Sequence, residues 1–157
     1  MSEWALILGC STGHGGATAK KLAKQGYGIV GFHFDRGELK LEAEKTKEEI
    51  SNLNGGKVEF WNTNAASQKT MEKYIPQIKE LTGGAPLKLL LHSIAFGTTT
   101  NFFGERPVTQ KQMDMTVHVM GNSLLYWTQK LFEADLLTKG SRILGLTSEG
   151  NYIAMEG

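Results

Sequence analysis

The sequence has little of several features that would direct it to a particular class of protein. Among its 157 residues Cys10 is the only cysteine, so no disulfide can form within the chain, which fits a reducing compartment such as the cytoplasm. The 17 basic and 16 acidic side chains leave a net charge of +1, so no field of one sign favours nucleic acid or a membrane surface as a partner. No apolar run approaches the roughly 20 residues of a membrane-spanning helix, and the N-terminus lacks the pattern of a secretory signal.

What the chain does have is the composition of an ordinary globular domain. Hydrophobic residues make up 40% of the sequence and charged residues 21%. A chain of this length can bury roughly 70% of its unfolded surface in one core. No repeat, low-complexity tract or linker divides it, so we predict one domain spanning residues 1–157.

Strand and helix patterns alternate along the chain. Short apolar runs predict five strands, at 4–8, 28–34, 58–61, 87–91 and 142–146. Apolar positions at helical spacing predict four helices, at 17–25, 37–54, 67–81 and 109–137. Strands that alternate with helices pair in parallel through right-handed crossovers. We therefore predict an α/β fold with a doubly wound parallel sheet of the Rossmann type.

Two of the predicted helices carry apolar side chains at a spacing that we interpret as a buried face. In the second helix these are Leu39, Leu41, Ala43 and Ile50. In the long fourth helix they are Met113, Val117, Met120, Leu124, Trp127 and Leu131.

The strongest local signal is the run Gly-Cys-Ser-Thr-Gly-His-Gly-Gly at 9–16, between the first strand and the first helix. The pyrophosphate of a dinucleotide approaches the backbone closely at this turn, and the helix N-terminus offers free N–H groups. We expect Gly9 to permit the tight turn, Gly13 the approach of the phosphate, and Gly15 a close contact of the helix. Glycines also collect in ordinary turns, but this cluster lies where a dinucleotide-binding fold requires it.

Polar side chains in the same run add to the prediction. The hydroxyl groups of Ser11 and Thr12 could donate to the phosphates. His14 is interpreted as a loop residue facing solvent. No pattern in the sequence predicts a metal site.

The end of the second strand carries two residues with opposite implications. An acid such as Asp35 binds the ribose hydroxyls of NAD, whereas an arginine such as Arg36 accepts the additional phosphate of NADP. Arg36, together with His33 and nearby lysines, favours NADP(H) over NAD(H). The alternative is an ordinary surface pair of Asp and Arg at a strand end.

The glycine spacing at 9, 13 and 15 resembles that of the short-chain dehydrogenase/reductase family. Asn64-Ala65 is similar to the Asp-Val pair that the family places beside the adenine, with Asn in place of Asp. The segment His-Ser-Ile-Ala-Phe at 92–96 takes the place of the family's Asn-Asn-Ala-Gly. It resembles bacterial enoyl-acyl-carrier-protein reductases, a divergent branch of the family, as does the run at 144–148, which contains Leu-Thr.

The resemblance implies that Ser93, Ile94 and Ala95 line the ribose and nicotinamide side of the cofactor. Packing against the sheet is an alternative role for Ile94 and Ala95, and both roles can hold together. His92 is interpreted as a structural residue at the strand end.

Three positions depart from the pattern of the family or of its enoyl reductase branch. His118 stands where the family has an Asn that organises a proton relay, and it could relay a proton or serve in packing. Ser148 stands where the family keeps a substrate-orienting serine, whereas the enoyl reductase branch has Tyr; it could also cap the turn. Tyr152 precedes Glu156 at the spacing of the family's Tyr-x-x-x-Lys pair, but a carboxylate opposes ionisation of the phenol, so Tyr152 is not the predicted acid.

The resemblance implies that the catalytic tyrosine and lysine, with the last strands, lie beyond Gly157. We therefore predict a chain that holds the cofactor-binding front of an NAD(P)H-dependent reductase and is itself inactive.

The expected substrate is an enoyl- or 3-oxoacyl-thioester on acyl carrier protein, in fatty-acid synthesis. Phe96, Phe102 and Phe103 either border an acyl pocket or anchor their loop. The alternative is a regulatory NAD(P)-binding module without turnover. The family also implies self-association through the helix predicted at 109–137.

Overall fold

The computed structural model describes residues 3–148 and shows a five-stranded sheet with helices on both sides. The five strands are β1 (Trp4–Leu8), β2 (Gly28–His33), β3 (Val58–Asn62), β4 (Leu87–His92) and β5 (Arg142–Gly145). The α-helices are α1 (Gly13–Ala23), α2 (Leu39–Asn54), α3 (Gln68–Leu81), α4 (Gln110–Val117) and α5 (Ser123–Glu133). A π-helical turn, His118–Asn122, joins α4 to α5.

The sheet has the order β3-β2-β1-β4-β5, and every pair of neighbours is parallel. This confirms the doubly wound α/β fold predicted from the sequence. The chain leaves β1 toward β2 on one side and crosses to β4 on the other, so the strand order reverses between β1 and β4. In sheets of this kind the ligand crevice lies at the carboxyl ends of the strands at such a reversal. The loops after β1 and β4 therefore define where a site is to be sought.

The sheet is buried on both faces by separate clusters of apolar side chains. Ala5, Ile7 and Ile29 pack with the small and branched residues of α1 and α2 on one face. Leu6 and Phe32 point to the opposite face, where α3 and α5 cover them. Because both faces are covered, all five residues of β1 are buried, which is why the central strands appear in the sequence as continuous apolar runs.

The predicted apolar face of α2 is partly wrong. Leu39 and Leu41 are exposed, whereas the buried positions are Ala43, Thr46, Ile50 and Asn54. These four follow the helical period from the point where α2 reaches the sheet. Leu39 lies one turn before that point and Leu41 lies off the stripe. Two of the buried residues are polar, so a search for apolar residues alone could not find this face.

The helix predicted at 109–137 is also corrected. It is interrupted by the π-helical turn and ends at Glu133. Of its predicted core stripe, Trp127 and Leu131 are buried and Leu124 is partly buried, but Met113, Val117 and Met120 are exposed. α4 lies wholly within the described residues and has no buried residue, so the first half of the stripe does not contribute to the core.

The π-helical turn lies between two side chains that bond to other parts of the fold. His118, its first residue, bonds the carbonyl of Ala66 through Nε2 at 3.0 Å. Ser123, directly after it, bonds His92 at the end of β4 at 2.8 Å. Insertion of a residue into an α-helix changes the angle between side chains on either side of it, and π-turns are frequent at functional positions. Here the π-helical turn allows His118 to bond Ala66 and Ser123 to bond His92 from the same helical segment.

β5 differs from the other four strands because all four of its residues are exposed. It pairs with β4 on one side and forms an edge of the described sheet on the other. Ile143 and Leu144 are exposed on its two faces, and Leu146 follows them. The sheet is therefore well covered around β1 and sparsely covered at β5.

Candidate functional site

The turn after β1 is fixed by its own backbone. Gly9 has a φ of +87°, a conformation that favours glycine, and the N–H groups of Gly9 and Cys10 both donate to the Phe32 carbonyl at 2.8 and 3.1 Å. A Cβ on Gly9 would lie 2.3 Å from the Ser93 carbonyl oxygen. A Cβ on Gly15 would lie 1.8 Å from the Gly9 carbonyl oxygen. The loops after β1 and β4 and the first turn of α1 therefore meet in backbone contact.

Gly13, at the start of α1, differs from its two neighbours in the loop. Its φ is +56°, and a Cβ there would have no atom of residues 3–148 within 4 Å. No side-chain hydrogen bond caps α1 at Thr12 within the described residues, so the first amides of the helix remain available. Open space in front of free N–H groups at a helix N-terminus is suited to an anion.

The hydroxyl residues of the loop lie in different surroundings. Ser11 is buried, and its carbonyl accepts a hydrogen bond of 2.9 Å from the Thr46 hydroxyl on α2. Thr12 is exposed. His14 is exposed, in agreement with its prediction as a solvent-facing residue. Of the two predicted hydroxyl donors, Thr12 is therefore the more accessible.

At the end of β2, Asp35 is held by its neighbours. Its carboxylate oxygen Oδ2 lies 2.8 Å from Nδ1 of His33. Its backbone N–H donates to the side-chain oxygen of Asn62, and its carbonyl accepts from the side-chain amide of Asn62. The Arg36 guanidinium lies 5.6 Å from the centre of the exposed Phe34 ring. The acid is therefore fixed and largely covered, whereas the arginine stands outside on an aromatic side chain.

Asn64 and Ala65 follow β3 and have distinct roles. The Asn64 side chain accepts a bond of 2.9 Å from the Ala66 N–H, which forms the turn into α3. Ala65 is buried, and its carbonyl accepts a bond of 2.8 Å from the Trp127 indole N–H. Asn64 is exposed beside the strand ends, whereas the side chain of Ala65 belongs to the core.

The segment after β4 passes directly beside the glycine turn. The Ser93 N–H donates to the Leu8 carbonyl at 2.8 Å, and the Ser93 hydroxyl oxygen would lie 3.1 Å from a Cβ on Gly15. Ile94 is partly buried against the α3–α5 core, and Ala95 is exposed. The structure therefore brings Ser93 together with the predicted phosphate loop at the reversal of strand order.

His92 is buried at the end of β4 and does not face this crevice. The Ser123 hydroxyl donates its hydrogen to the Val119 carbonyl at 2.7 Å, so its oxygen accepts from Nε2–H of His92. Burial lowers the pKa of His92. The residue has the structural role at the strand end that the sequence suggested.

Comparison with known proteins identifies the fold family. A family model described as short chain dehydrogenase matches residues 3–154. The chain belongs to the short-chain dehydrogenase family. This confirms the predicted resemblance to the family, which is one of oxidoreductases, whereas the enoyl reductase branch stays a prediction.

Solved structures of short-chain dehydrogenases share the fold at low sequence identity. A short-chain dehydrogenase/reductase from Serratia marcescens is 21% identical, with a TM-score of 0.79 over 99% of this chain and 59% of its own. A 3-oxoacyl-[acyl-carrier protein] reductase from Brucella melitensis in complex with NAD is 21% identical, with a TM-score of 0.78 over 99% and 59%. YwfH, an NADPH dependent reductase involved in bacilysin biosynthesis, is 21% identical, with a TM-score of 0.75 over 96% of this chain and 62% of its own. The chain spans about three-fifths of the length of these short-chain dehydrogenases.

The two candidate catalytic residues of this short-chain dehydrogenase lie on different elements. His118 is exposed at the start of the π-helical turn, and its ring bonds the carbonyl of Ala66, which follows β3. Ser148 is exposed and follows β5. The catalytic roles of both residues stay predictions.

A Tyr-x-x-x-Lys spacing does occur in the chain, at Tyr126 and Lys130, and the sequence analysis overlooked it. Both residues lie on α5, before β5, whereas the family pair is expected on the helix after the fifth strand. The Lys130 ammonium bonds the Glu133 carboxylate at 2.7 Å, which raises the pKa of Lys130. Tyr152 and Glu156, which carry the other such spacing, lie outside the described residues.

Residues 3–148 contain neither a cluster of metal-binding side chains nor a membrane-spanning helix. No group of three or more His, Cys, Asp or Glu side chains within this range could hold a metal ion. Within the same range, the helices are too short or too polar to cross a membrane.

Three residues of the site were missed or misjudged from the sequence. From distant segments, Thr46 holds the glycine loop through one hydrogen bond and Asn62 holds Asp35 through two. His33 was assigned to the cofactor surface, but it is buried and faces Asp35. Asn62 could have been found, because parallel pairing of β2 with β3 places it opposite His33.

Proposed function

We propose that this chain is the cofactor-binding portion of an NAD(P)H-dependent reductase. The whole protein would transfer hydride from the nicotinamide to an acyl-thioester, at an enoyl double bond or a 3-oxo group. The cofactor supplies the hydride chemistry, and the protein orients it and excludes competing reactions. Inactivity of the 157-residue chain by itself stays a prediction.

One observation carries the proposal: the open N-terminus of α1 at Gly13, held in place by backbone contact among Gly9, Gly15 and Ser93. Three segments must be fixed together for this opening to have a constant shape. The opening lies at the reversal of strand order, where dinucleotides bind in folds of this class. The predicted ligands around it are Gly9, Ser11, Thr12, Gly13, Gly15, Asp35, Arg36, Asn64, Ala65, Ser93, Ile94 and Ala95.

The test compares Gly13→Asp with Gly26→Asp by calorimetric titration of NADPH and NADH. Both glycines have positive φ and open space around a new Cβ within the described residues, so the backbone strain is similar. Gly13 begins α1, where a carboxylate favours the helix, whereas Gly26 follows its end. A carboxylate at 13 would oppose the pyrophosphate, because like charges brought together in an interface cost several kcal/mol.

We expect Gly13→Asp to weaken binding of both cofactors more than about tenfold and Gly26→Asp to leave it within about twofold. Equal affinities for the two variants would contradict the location of the pyrophosphate. A wild-type chain that binds neither cofactor would contradict the proposed function as a whole.

The proposed cofactor is NADP(H) rather than NAD(H), as predicted from Arg36. The support is the exposed position of the guanidinium at the end of β2, stacked on Phe34, where a phosphate on the ribose could reach it. Among similar structures, one short-chain dehydrogenase is an NADPH dependent reductase and another was solved with NAD, so the family alone does not decide.

The acyl-thioester substrate is supported by the segment at 92–96 and by its loop. Phe96, Phe102 and Phe103 are exposed in the connection between β4 and α4. They therefore do not anchor the loop in the core, and they remain available to border an acyl chain. A cavity of about 370 Å³ in the same loop includes Phe103 and Arg106.

The substrate is tested with the whole parent protein by following NADPH oxidation with crotonyl- and acetoacetyl-thioesters. Turnover of crotonyl-thioester supports the enoyl branch, and turnover of acetoacetyl-thioester supports the general carbonyl reductases that Ser148 resembles. Turnover of neither would contradict the acyl-thioester assignment. In such assays Ser148 is the first candidate for orienting the substrate and His118 a weaker candidate for proton transfer.

The second candidate is a regulatory NAD(P)-binding module. Its support is that the Tyr-x-x-x-Lys spacing within residues 3–148 lies on α5, with the lysine paired to Glu133. The gene decides between the two: an enzyme continues past Gly157 into the catalytic tyrosine and lysine, and a module does not. Cytoplasmic location, acyl carrier protein as partner and self-association through α4 and α5 stay predictions.

A further inference from the structure

The pair formed by His33 and Asp35 has no counterpart in the sequence prediction. The two side chains are 5% and 17% exposed, and Nδ1 lies 2.8 Å from Oδ2. An ionised carboxylate can only accept, so Nδ1 carries the hydrogen and donates it. The imidazole therefore places the positive end of an N–H group, or a full positive charge when protonated, directly on the carboxylate.

We propose that His33 is a positioning residue for cofactor choice: by engaging the Asp35 carboxylate it allows the 2′-phosphate of NADP(H) to bind beside an acid. The inference rests on the proposed function and deepens it. Asp35 alone would favour the ribose diol of NAD(H), because hydroxyl groups donate to a carboxylate and a phosphate is repelled by it.

The placement of the pair supports this role. Asn62 fixes the Asp35 backbone on both its N–H and its carbonyl, so the carboxylate cannot move away with its loop. Its negative charge also extends to the glycine turn: the pKa of the Cys10 thiol is raised by burial first and by Asp35 in addition. A charge that acts on the phosphate-binding turn requires compensation if a further phosphate is to bind there.

The residues around His33 and Asp35 indicate what each neighbouring side chain can do. His33 packs beside the Phe60 ring on β3, at a centroid distance of 6.2 Å. Arg36 stands outside on Phe34, so it is free to approach a phosphate. In this arrangement Arg36 attracts the phosphate, and His33 reduces the opposing effect of Asp35. The conflict between acid and base in the sequence is thereby resolved by a third residue.

The test is a pair of variants of similar size, His33→Leu and His33→Asn, with dissociation constants for NADPH and NADH measured on the whole chain. Leu removes the donor, whereas Asn retains an amide N–H close to the position of Nδ1. We expect His33→Leu to shift the ratio of the two affinities toward NADH by about tenfold, as for loss of one hydrogen bond to a charged group. We expect His33→Asn to shift it by at most about threefold.

Asp35→Asn supplies a second, independent measurement at a partly exposed position. Without the charge, NADPH should bind more tightly and NADH less tightly, and His33→Leu added to Asp35→Asn should change the ratio no further. Such non-additivity is the signature of two residues acting through each other. If His33→Leu does not fold, His33→Phe, which also lacks the donor, replaces it in both measurements.

Several outcomes would overturn the inference. One is an equal loss of affinity for both cofactors in His33→Leu, which is what a purely structural role predicts. Another is an unchanged ratio in Asp35→Asn. If the wild-type chain binds both cofactors and these ratios do not move, the proposed function stands and only this inference fails. If the wild-type chain binds neither, both fail.

Discussion

The glycine turn and the segment from α4 to β5 are opposite in how they are held. In the turn, backbone atoms of Gly9, Gly15 and Ser93 are so close that a single methyl group would not fit. Along α4 and β5, large apolar side chains are exposed, and a Cβ on Gly121 would meet no atom of residues 3–148 within 4 Å. The first region is held by backbone contacts within residues 3–148. The second leaves apolar side chains exposed, and it is where self-association is predicted.

This difference shows that a glycine or an apolar residue has no fixed meaning by itself. Gly15 is required by the atoms opposite it, whereas Gly121 lies in a helix with space around it. Leu131 is core because α5 lies on the sheet, whereas Val117 belongs to the same stripe and is exposed. The surroundings of each position decide its role.

The largest expected effect is the difference in unfolding free energy between alanine variants of Gly15 and Gly121. Gly15→Ala would force its Cβ against the Gly9 carbonyl oxygen, so we expect a loss of about 3 kcal/mol or more in the free energy of unfolding. Gly121 lies in the π-helical turn, where a Cβ would meet no atom of residues 3–148, so Gly121→Ala should gain up to about 1 kcal/mol. Urea unfolding of both variants measures this. Similar effects at both positions would remove the contrast between the two regions.

The next effect concerns the bond that joins β4 to α5. Ser123→Ala leaves the Nε2–H of buried His92 without its acceptor, which should cost about 1–3 kcal/mol in urea unfolding. Thr128→Ala is the control, because its hydroxyl also donates to the carbonyl four residues before it but bridges to no other element in the described bonds. We expect Thr128→Ala to change stability by less than about 0.5 kcal/mol. A cost as large for Thr128→Ala would indicate a general helix effect.

A smaller effect is the pH dependence caused by His92. Burial lowers the pKa of His92, so the unfolded chain takes up its proton more readily than the folded chain. The contribution to stability is therefore full above about pH 6.5, the usual histidine value, and is lost as the pH falls below it. The measurement is the difference in unfolding free energy between wild type and His92→Gln from pH 8 to pH 5. A difference that is constant over this range would contradict the assignment of the pH dependence to His92.

The smallest effect on folding is expected on the exposed side of the molecule. Met120→Glu should leave stability within about 0.5 kcal/mol, because its side chain is 45% exposed. If two copies pair through α4 and α5, sedimentation should show a multimer for the wild type and a monomer for this variant. Leu41→Glu, 64% exposed on α2, is the control and should remain a multimer. A wild-type monomer at micromolar concentration would contradict self-association.

The doubly wound parallel sheet and most element positions could be predicted because such a sheet leaves clear local signals. β1 is an apolar run that ends in Gly9, and α2 ends at Asn54 with Gly55 in the left-handed conformation. Each signal lies within a few neighbouring residues. The interruption of the long helix had no such signal, because it depends on partners at Ala66 and His92, far away in the sequence.

The candidate site was predicted in part for the same reason. The glycine turn is local and was located from its spacing. The hydrogen bonds of Asn62 and His33 to Asp35 were not predicted, because they depend on side-chain geometry that the sequence does not state.

Phe32 connects the glycine turn to the interior in a way that has a practical use. Its carbonyl accepts the two N–H bonds that fix Gly9 and Cys10, while its ring packs 5.0 Å from that of Trp127 on the far side of the strand. Trp127 is a buried indole, held by the Ala65 carbonyl. A ligand that moves the turn therefore acts on a tryptophan through one aromatic contact. Intrinsic tryptophan fluorescence of the unlabelled chain is therefore expected to respond to binding at the proposed cofactor loop.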